Sequence, residues 1–563
     1  MLQFNLNRFL CACAVAGGLA GLMAACGGGS SNPSPSPAAQ DPAPVAPSGR
    51  PAPDSAEALA VRALPSTSPM LATADCVPSG VPGARDYQVG PGAGQFATLE
   101  QVPWETLGPG DTVRIFYRST PYLGKFLIAA SGTASAPVRV CGVKSSTGQR
   151  PIIDGKNALT RSRLNYGDSA STKYVHQTRS VIVVKRLGTD DWTDYPSHIQ
   201  VDGLEVRGAA PGNTFTDAEG VVRPYDEFGA CIWIDRGHHI TIADNVIHDC
   251  SQGVYSKSTE DGDFAITKDI RLAGNYIYGN GIVGDVHMHN TYMASAGIVY
   301  EFNRYGPLRA GALGNAIKDR SVGTVVRYNR IEEGAHAIDL VEAEDFPTFA
   351  LTQDAYRATL VYGNQIVKSG GTGSAIHYGG DHFGSDPEKN WGEPNFRRGT
   401  LYFYSNTVRL TGTGGTVQLF QLSTTLERAE VWNNVFIFDA GIAYKALRAN
   451  QDVNTTYWTG GGIVNLGKNW ISAGWADSDP WHPVSGQLLG QANVLSGASI
   501  PVALTTLSPV AGSAVIDAGQ TVFSTAVAAT LNAFPVAYQL NAQFQPVARP
   551  VSGAGPDLGA VER

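Results

Sequence analysis

The sequence predicts an all-β fold, a right-handed parallel β-helix, and three observations carry this prediction. Short runs of β-branched and aromatic residues recur along the chain, and Gly, Pro and Asp separate them. Glycine is abundant (65 residues) and only 16% of the residues are charged, a composition typical of β-rich proteins. A motif of strand, asparagine and strand returns at intervals, as expected if the chain winds through successive coils. We expect long loops inserted on one side of this solenoid and a C-terminal cap.

The asparagine motif is the strongest of these signals. Asparagine tolerates the left-handed backbone of a tight bend, and its amide can bond the asparagine of the next coil. The spacing varies, which favours a β-helix with inserted loops over a solenoid of strict period, and the widest gap fits two coils. A sandwich with chance asparagine turns is the alternative. The motif occurs at Asn245, Asn275, Asn329, Asn364, Asn406 and Asn434, with Gly203 in the same corner of an earlier coil.

The N-terminus has the features of a secretory signal over residues 1–26. Arg8 supplies an early positive charge, an apolar core extends from Phe9 to Met23, and small residues precede Cys26. The segment that ends at Cys26 resembles a bacterial lipobox, which implies that Cys26 becomes the lipidated first residue of an exported protein. Gly27 favours the outer membrane, by resemblance to lipoprotein sorting rules. The alternative is an ordinary signal peptide in which Cys26 has no role.

The rest of the chain divides into three parts by composition. Residues 27–75 are mostly Gly, Ser, Pro and Ala, which cannot bury a core, so we expect a disordered tether. The β-helix with its active-site loops is expected over residues 76–480. Residues 481–563 are expected to form a β-rich closing segment that covers the last open edge of the helix.

Four further cysteines remain in the exported chain, an even number that suits an oxidising compartment. We predict the pairs Cys76–Cys141 and Cys231–Cys250, although other connectivities and four buried free thiols stay open. The formal net charge is −8, and lysine and arginine are spread thinly. Without a basic face, nucleic acid is excluded as a partner, and we expect a monomer.

Three short segments share one pattern and predict a column of reactive side chains. Each places an isoleucine before a polar residue, and the polar residues are Lys318, Asp339 and His377. If the isoleucines point inward, these side chains point outward from neighbouring strands about 4.8 Å apart. We expect His287 and Gln418 to extend the column, and His289 and Arg320 to begin a second one. Asp319 falls inward, where it needs either a bulge or a partner.

Such a column suits the cleavage of uronic acid polysaccharides by β-elimination. This reaction requires neutralisation of the carboxylate, removal of the adjacent proton and protonation of the leaving oxygen. Lys318 would be the base only if its pKa were lowered, and Asp339 acts against that. A second assignment makes His377 the base, oriented by Asp339, while Lys318 and Arg320 bind the substrate carboxylate. The predicted catalytic residues are therefore Lys318, Arg320, Asp339 and His377.

Loops beside the column are expected to form the walls of a substrate groove, because insertions on one side of a solenoid commonly do so. Aromatic residues there would stack on sugar rings. The predicted substrate-binding residues are His287, His289, Tyr292, Arg304, Glu342, Tyr378, Asp381, His382 and Trp391.

A family resemblance supports this reaction. Residues 318–321 (Lys-Asp-Arg-Ser) followed by Val326-Arg327-Tyr-Asn329 resemble the signature of β-helix polysaccharide lyases of the alginate lyase and chondroitinase B type. Aligned on Ser321 and Asn329, the lysine base of that family falls at Arg320. The resemblance also implies calcium as a cofactor, although Asn315 stands where the family has an acidic ligand. We expect a distant relative with a rebuilt centre, acting on an acidic polysaccharide.

Three alternatives stay open. A glycoside hydrolase would use a carboxylate pair drawn from Asp339, Glu342 and Asp381. A non-catalytic glycan-binding protein on the cell surface would need no reactive column. A metal site at His287 and His289 has only weak spacing in its favour.

Overall fold

The computed structural model describes residues 60–61, 63–64, 75–167, 174–369, 373–382, 393–412, 416–449, 461–480, 484 and 486–563. Over these residues the chain forms a parallel β-helix with three long sheets, which confirms the predicted fold class. Each complete coil contributes one strand to each sheet, and nearly all neighbouring strands are parallel. The predicted signal peptide with Cys26 lies outside the described residues.

Sheet 1 has 13 strands in the described part of the chain: Asp86–Val89, Thr112–Phe116, Val138–Val143, Ser197–Asp202, His238–Ala243, Lys268–Ala273, Ala296–Glu301, Val322–Arg327, Ala358–Tyr362, Thr400–Tyr404, Arg428–Trp432, Ile463–Leu466 and Gln487–Leu489. Sheet 2 has 14 over the same residues: Val222–Pro224, Thr214–Thr216, Ala158–Thr160, Gly124–Ile128, Ser180–Val184, Ala230–Ile234, Gln252–Ser256, Thr291–Met293, Ile317–Asp319, Ile338–Leu340, Ile376–Tyr378, Thr416–Leu422, Tyr444–Ala449 and Trp475–Ala476. Sheet 3 has 11, again counted over described residues: Ile152–Asp154, Glu205–Arg207, Val246–His248, Tyr276–Tyr278, Arg304–Tyr305, Arg330–Glu332, Gln365–Ser369, Thr407–Thr411, Val435–Phe438, Asn469–Ser472 and Val494–Gly497.

Other elements are short. The α-helices are Val175–Thr178, Pro347–Leu351 and Thr525–Ala533. The 3-10 turns are Leu99–Gln101, Trp104–Thr106, Asp263–Ala265, Asp354–Arg357, Glu393–Asn395 and Gln491–Asn493. A separate hairpin pairs Tyr538–Leu540 with Pro546–Ala548. Among the described residues, no helix is long and apolar enough to span a membrane.

The asparagines form a continuous ladder at the corner between sheets 1 and 3. Each side-chain oxygen accepts bonds from the backbone and side-chain amides of the asparagine one coil earlier; Asn364 Oδ1, for example, lies 2.9 Å from Asn329 N and 3.0 Å from Asn329 Nδ2. Asn303 is the member missing from the sequence motif, so the wide gap does hold two coils. The ladder is Asn245, Asn275, Asn303, Asn329, Asn364, Asn406, Asn434 and Asn469.

At every ladder corner from Asn245 to Asn434 the left-handed residue stands one position before the asparagine, not at it. Tyr328 has φ 56° and Gly363 has φ 66°, directly before Asn329 and Asn364. Gly203, with φ 72°, is likewise such a preceding residue, and Leu204 N donates to Asn245 Oδ1 at 3.0 Å. The predicted role of asparagine in the bend was therefore wrong, because its side chain is needed for the ladder and its neighbour makes the turn.

Inside the coils, one ion pair replaces apolar packing. Asp319 points inward as predicted, and Arg397 Nη2 lies 3.3 Å from its carboxylate, with both side chains fully buried. Tyr300 and Thr324 donate hydroxyl hydrogen bonds to the same carboxylate at 2.9 and 2.6 Å. A partner, rather than a bulge, thus accommodates the inward charge.

Both predicted disulfides are present, Cys76–Cys141 and Cys231–Cys250. The first ties the segment before the helix to a strand of sheet 1, and the second links two neighbouring coils. Each bond restricts the unfolded chain, and so raises the free energy of unfolding.

Two outer segments differ from expectation. Ala60, Val61 and Leu64 of the predicted tether are buried against the helix with Ile266 and Phe346. The strands of the helix continue to Gly497, past the expected boundary at residue 480. Residues of the closing segment pack along the side of the helix, against sheet 3 and the aromatic rings at the asparagine corner. Tyr328 and Tyr404 donate hydroxyl bonds to carbonyls of Pro535 and Phe534 at 3.1 and 2.8 Å.

Candidate active site

The predicted column exists on the outer face of sheet 2. Strand pairing places Lys318, Asp339 and His377 side by side in three successive coils. At one end the next residue is Tyr292, and at the other it is Gln421. The two ends of the prediction were therefore wrong, since His287 and Gln418 do not occupy these positions.

The register error at His287 has a simple cause. The strand of that coil is Thr291–Met293, where Thr291 and Met293 are buried and Tyr292 points outward. His287 lies in the preceding loop, largely exposed beside Asp285. His289 is buried near the column, where its Nδ1 accepts a bond from Asn315 N at 2.8 Å. Ala294, not His289, stands beside Arg320 in the second column.

Lys318 is held between two carboxylates. Its Nζ lies 2.7 Å from Asp339 Oδ2 and also contacts Asp381. Burial alone would lower the pKa of this ammonium, but the charges of Asp339 and Asp381 outweigh burial and raise that pKa. Lys318 is therefore a fixed cation and does not serve as a general base.

Arg320 is the second fixed cation. Its Nη2 lies 3.0 Å from Asp381 Oδ1, and its Nε donates to the Tyr292 hydroxyl at 2.9 Å. Glu342 and Glu344 contact the same guanidinium at 3.3 and 3.2 Å. The predicted second column thus contributes one charge, and four acidic side chains surround the two cations.

Asp339 is the buried hub of the column. Its Oδ2 accepts bonds from Lys318 Nζ and from Asn315 Nδ2, each at 2.7 Å. Its Oδ1 lies 2.8 Å from His377 Nδ1, and His377 Nε2 lies 3.1 Å from Ser423 Oγ. With 2% exposure, Asp339 orients its neighbours rather than contacting substrate.

Two insertions after the strands of sheet 2 bring the acidic residues over the column. One begins at residue 341 and carries Glu342 and Glu344; the other begins at residue 379 and carries Asp381 and His382. Glu342 joins the two insertions, since its Oε2 and Oε1 accept the backbone amides of Asp381 and His382 at 2.9 and 3.1 Å. His382 Nδ1 lies 2.6 Å from Glu342 Oε1.

The acidic side chains at the mouth of the site have opposite proton affinities. Burial opposes ionisation of Asp381, but Arg320 and Lys318 hold its pKa well below the usual range. Burial, and then the charge of Glu344, raise the pKa of Asp345. Burial would lower the pKa of His382, but its bond to Glu342 and the charge of Asp381 raise that pKa. The pKa values of Asp381 and Asp345 are thus shifted in opposite directions, that of Asp381 down and that of Asp345 up.

Two groups of side chains bring potential metal ligands within 4.8 Å of one another, and neither fits the calcium that the resemblance implies. The groups are His336, Asp339 and His377, and Glu342, Asp381 and His382. Both oxygens of Asp339 and both oxygens of Glu342 already accept hydrogen bonds, and Lys318 and Arg320 supply the positive charge. Calcium requires free oxygen ligands, so no step is assigned to a metal.

Three predicted substrate-binding residues do not line this site. Arg304 lies on sheet 3, where it pairs with Glu332 at 3.2 Å, because Asn303 starts a coil corner that the sequence motif had missed. Tyr378 is fully buried inside the coil, at the register position of Leu340. His287 is exposed in its loop, as described above. Trp391 lies outside the described residues.

Sequence reasoning missed Ser423 and the side-chain role of Asn315. Asn315 directly precedes the repeated Ala-Ile-Lys segment, and that proximity was the available signal. Ser423 follows the strand Thr416–Leu422, and only the correct register of that strand would have placed it beside His377.

Fold and site together define a parallel β-helix protein with an ionised cluster on the outer face of one sheet. No family model and no curated protein matches the chain. Among solved structures it is similar to a pectate lyase, at 13% identity over 87% of this chain and 100% of the lyase, with a TM-score of 0.42. It is also similar to an alginate lyase from Paenibacillus, at 15% identity over 65% and 93% of the two chains, with a TM-score of 0.32.

A lacto-N-biosidase of the GH136 family from Eubacterium ramulus is similar as well, at 14% identity over 69% of this chain and 67% of that enzyme, with a TM-score of 0.37. The predicted parallel β-helix is confirmed by the three sheets of the chain itself. The reaction has to be argued from the side chains of this chain.

Proposed function

We propose that this protein degrades a glycan by hydrolysing a glycosidic bond, with Asp381 and Asp345 as its carboxyl pair. The observation that carries the proposal is the placement of Asp381, whose carboxylate is held by Lys318 and Arg320. Asp345 follows Glu342 and Glu344 in the other insertion, and its pKa is shifted in the opposite direction to that of Asp381. Glycosidases use such a pair, in which one carboxyl protonates the leaving oxygen and the other attacks the sugar or activates water.

In this mechanism Asp345 is the general acid and Asp381 the nucleophile or base. Lys318 and Arg320 keep Asp381 ionised and fix its orientation through the contacts described above. Asp339, held by Asn315 and His377, positions Lys318 in turn. The half-buried rings of Tyr255 and Tyr292 beside the cluster, and the sequence resemblance to polysaccharide lyases, support a sugar chain as the substrate.

The elimination predicted from the sequence is the second candidate. The Tyr292 hydroxyl favours it, because a phenol that accepts a bond from Arg320 can carry a proton to or from substrate. Against it, four carboxylates contact Lys318 and Arg320, so neither cation is free to neutralise a uronate. Charge balance therefore favours hydrolysis of a bond that does not require a carboxylate next to it.

Product chemistry tests the proposal directly. The full-length protein is incubated with neutral and uronic acid polysaccharides, and new reducing ends and the ultraviolet absorbance of unsaturated ends are followed together. We expect reducing ends without absorbance. Both signals together would establish elimination instead, and neither signal across the panel would contradict both reactions.

Amide variants then test the carboxyl pair. Asp381→Asn and Asp345→Asn should each lower kcat per folded molecule by about 10²–10⁴-fold, the usual contribution of such groups. Asp439→Asn is the matched control, because this carboxylate pairs with Arg409 on sheet 3, away from the cluster. Wild-type rates in either site variant would refute the assignment.

We also propose that the protein is anchored at the outer membrane through a lipid on Cys26, on the basis of the lipobox-like sequence. Metabolic labelling with a radioactive fatty acid should mark the wild type and not the Cys26→Ser variant. Equal labelling of both would contradict the anchor.

A further inference from the structure

Trp192 is a half-exposed indole that the molecule holds rigidly. The side chain lies over two guanidiniums, with Arg186 Cζ 5.0 Å and Arg236 Cζ 4.7 Å from the ring centroid. Phe264 meets the ring edge-on, at 6.1 Å between centroids. Trp192 is nonetheless 50% exposed, an unusual state for so large an apolar side chain.

The two arginines come from adjacent coils. They follow Val184 and Ile234, which pair in register, so they are neighbours on adjacent coils about 4.8 Å apart. Arg236 Nη1 donates to the Trp192 carbonyl at 2.7 Å, and Arg186 Nη1 donates to the Leu187 carbonyl at 2.8 Å. The indole is thus packed against two buried arginines, while half of its surface stays exposed to solvent.

A line of aromatic residues connects this region to the ionised cluster. Trp233, Tyr255 and Tyr292 occupy one outward column of sheet 2, and strand pairing continues that column to Lys318. Their ring centroids are 4.1 and 5.5 Å apart. The strand that leads to the Trp192 loop lies four strand spacings from the strand of Lys318, which is about 19 Å.

We propose that Trp192 is a distal sugar-binding platform, on which a polysaccharide chain rests after crossing Tyr292 and Tyr255 from the carboxyl pair. The inference rests on the proposed function and names its substrate class: an extended glycan of several sugars. A rigid, open aromatic face stacks on the apolar face of a sugar ring with little loss of side-chain entropy. A short oligosaccharide bound at Asp381 does not reach Trp192.

Binding to an array of oligosaccharides, from disaccharides to octasaccharides of neutral and uronic acid composition, tests the platform. The measurements use Asp381→Asn, so that no glycan is consumed. Adding Trp192→Ala should weaken binding of the long glycans about tenfold and leave the shortest ones unchanged. Trp192→Tyr, which keeps an aromatic face, should restore most of the binding.

Tyr444→Ala is the matched control, because Tyr444 is also a partly exposed aromatic residue of sheet 2 but lies beyond the opposite end of the column. An equal loss in this variant, or unchanged binding in folded Trp192→Ala, would overturn the proposal, as would an array without any bound glycan. The failure of the proposed function is a separate result: long glycans would bind through Trp192, yet the wild type would release neither reducing nor unsaturated ends.

Discussion

The asparagine ladder and the charged column are both stacks of polar residues in register, yet they are built in opposite ways. The ladder repeats one neutral residue, and each amide satisfies the next, as Asn364 does for Asn329. The column places a different residue in each coil, and Lys318 and Asp339 compensate each other by charge. Repetition of one residue marks a structural column, whereas a change of residue at each step marks a site.

The two columns also differ in what holds them. The ladder bonds only to itself and to nearby backbone, so it depends on nothing outside the corner. The column needs side chains from insertions, above all Asp381, to complete its charge balance. Variants of each column should therefore have different consequences for stability and for activity.

The largest effect is expected when one buried charge of the column is removed. Lys318→Met leaves Asp339 without its cation and should lower the free energy of unfolding by about 3–5 kcal/mol. Lys318→Met with Asp339→Asn removes both charges and should recover most of that stability without recovering turnover. Chemical denaturation measures the first and product release the second. A double variant as unstable as the single one would show that the column is structural after all.

A variant of the ladder should lower the free energy of unfolding somewhat less and should leave the catalytic rate unchanged. Asn364→Ala removes three hydrogen bonds, those that its Oδ1 accepts from Asn329 N and Nδ2 and the one that its Nδ2 donates to the Val326 carbonyl. At roughly 1 kcal/mol each, the loss is about 3 kcal/mol in denaturant. The folded fraction should keep the wild-type rate. Asn213→Ala is the control, because its amide makes one bond near the surface, to the Gly208 carbonyl at 3.0 Å. Lost activity in fully folded Asn364→Ala would contradict the separation of the two columns.

The smallest effect concerns pH. In the proposed mechanism Asp345 donates a proton, so activity should be present below its raised pKa and should fall as pH rises through it. Glu344→Gln removes the neighbouring charge that helps to raise this pKa, and should move the alkaline limb of kcat to lower pH by less than about one unit. Glu332→Gln on sheet 3 is the control for a lost surface carboxylate. An alkaline limb of kcat at the same pH in Glu344→Gln as in the wild type would exclude Asp345 as the general acid.

The repeating part of the molecule could be predicted because the same burial and strand pairing recur in every coil. Buried isoleucines at one register position placed Lys318, Asp339 and His377 correctly. The sequence motif missed Asn303 because the flanking Phe302 and Tyr305 do not resemble the residues of the other strands. Phe302 nevertheless makes the same left-handed turn, with φ 56°.

The non-repeating part could be predicted only as a set of residue types. Asp381 and His382 were recognised as candidates, but no periodic pattern indicates that their insertion folds back onto Lys318 and Glu342. Tyr292 was placed in the wall rather than in the column, because His287 had been assigned to the column although the strand of that coil begins only at Thr291. The register of a strand cannot be assigned from the sequence where no repeated Ala-Ile pair marks its inward residue.

The turn residue before each asparagine has one more consequence. It fixes where a coil starts but not how long the coil is, and successive asparagines are separated by as few as 26 and as many as 42 residues. Extra residues enter beyond the corner, on the way to and from sheet 2, without changing the pairing of the other sheets. Evolution can therefore lengthen, shorten or replace the loops around the cluster one coil at a time, so the same scaffold can acquire a new substrate without having to refold.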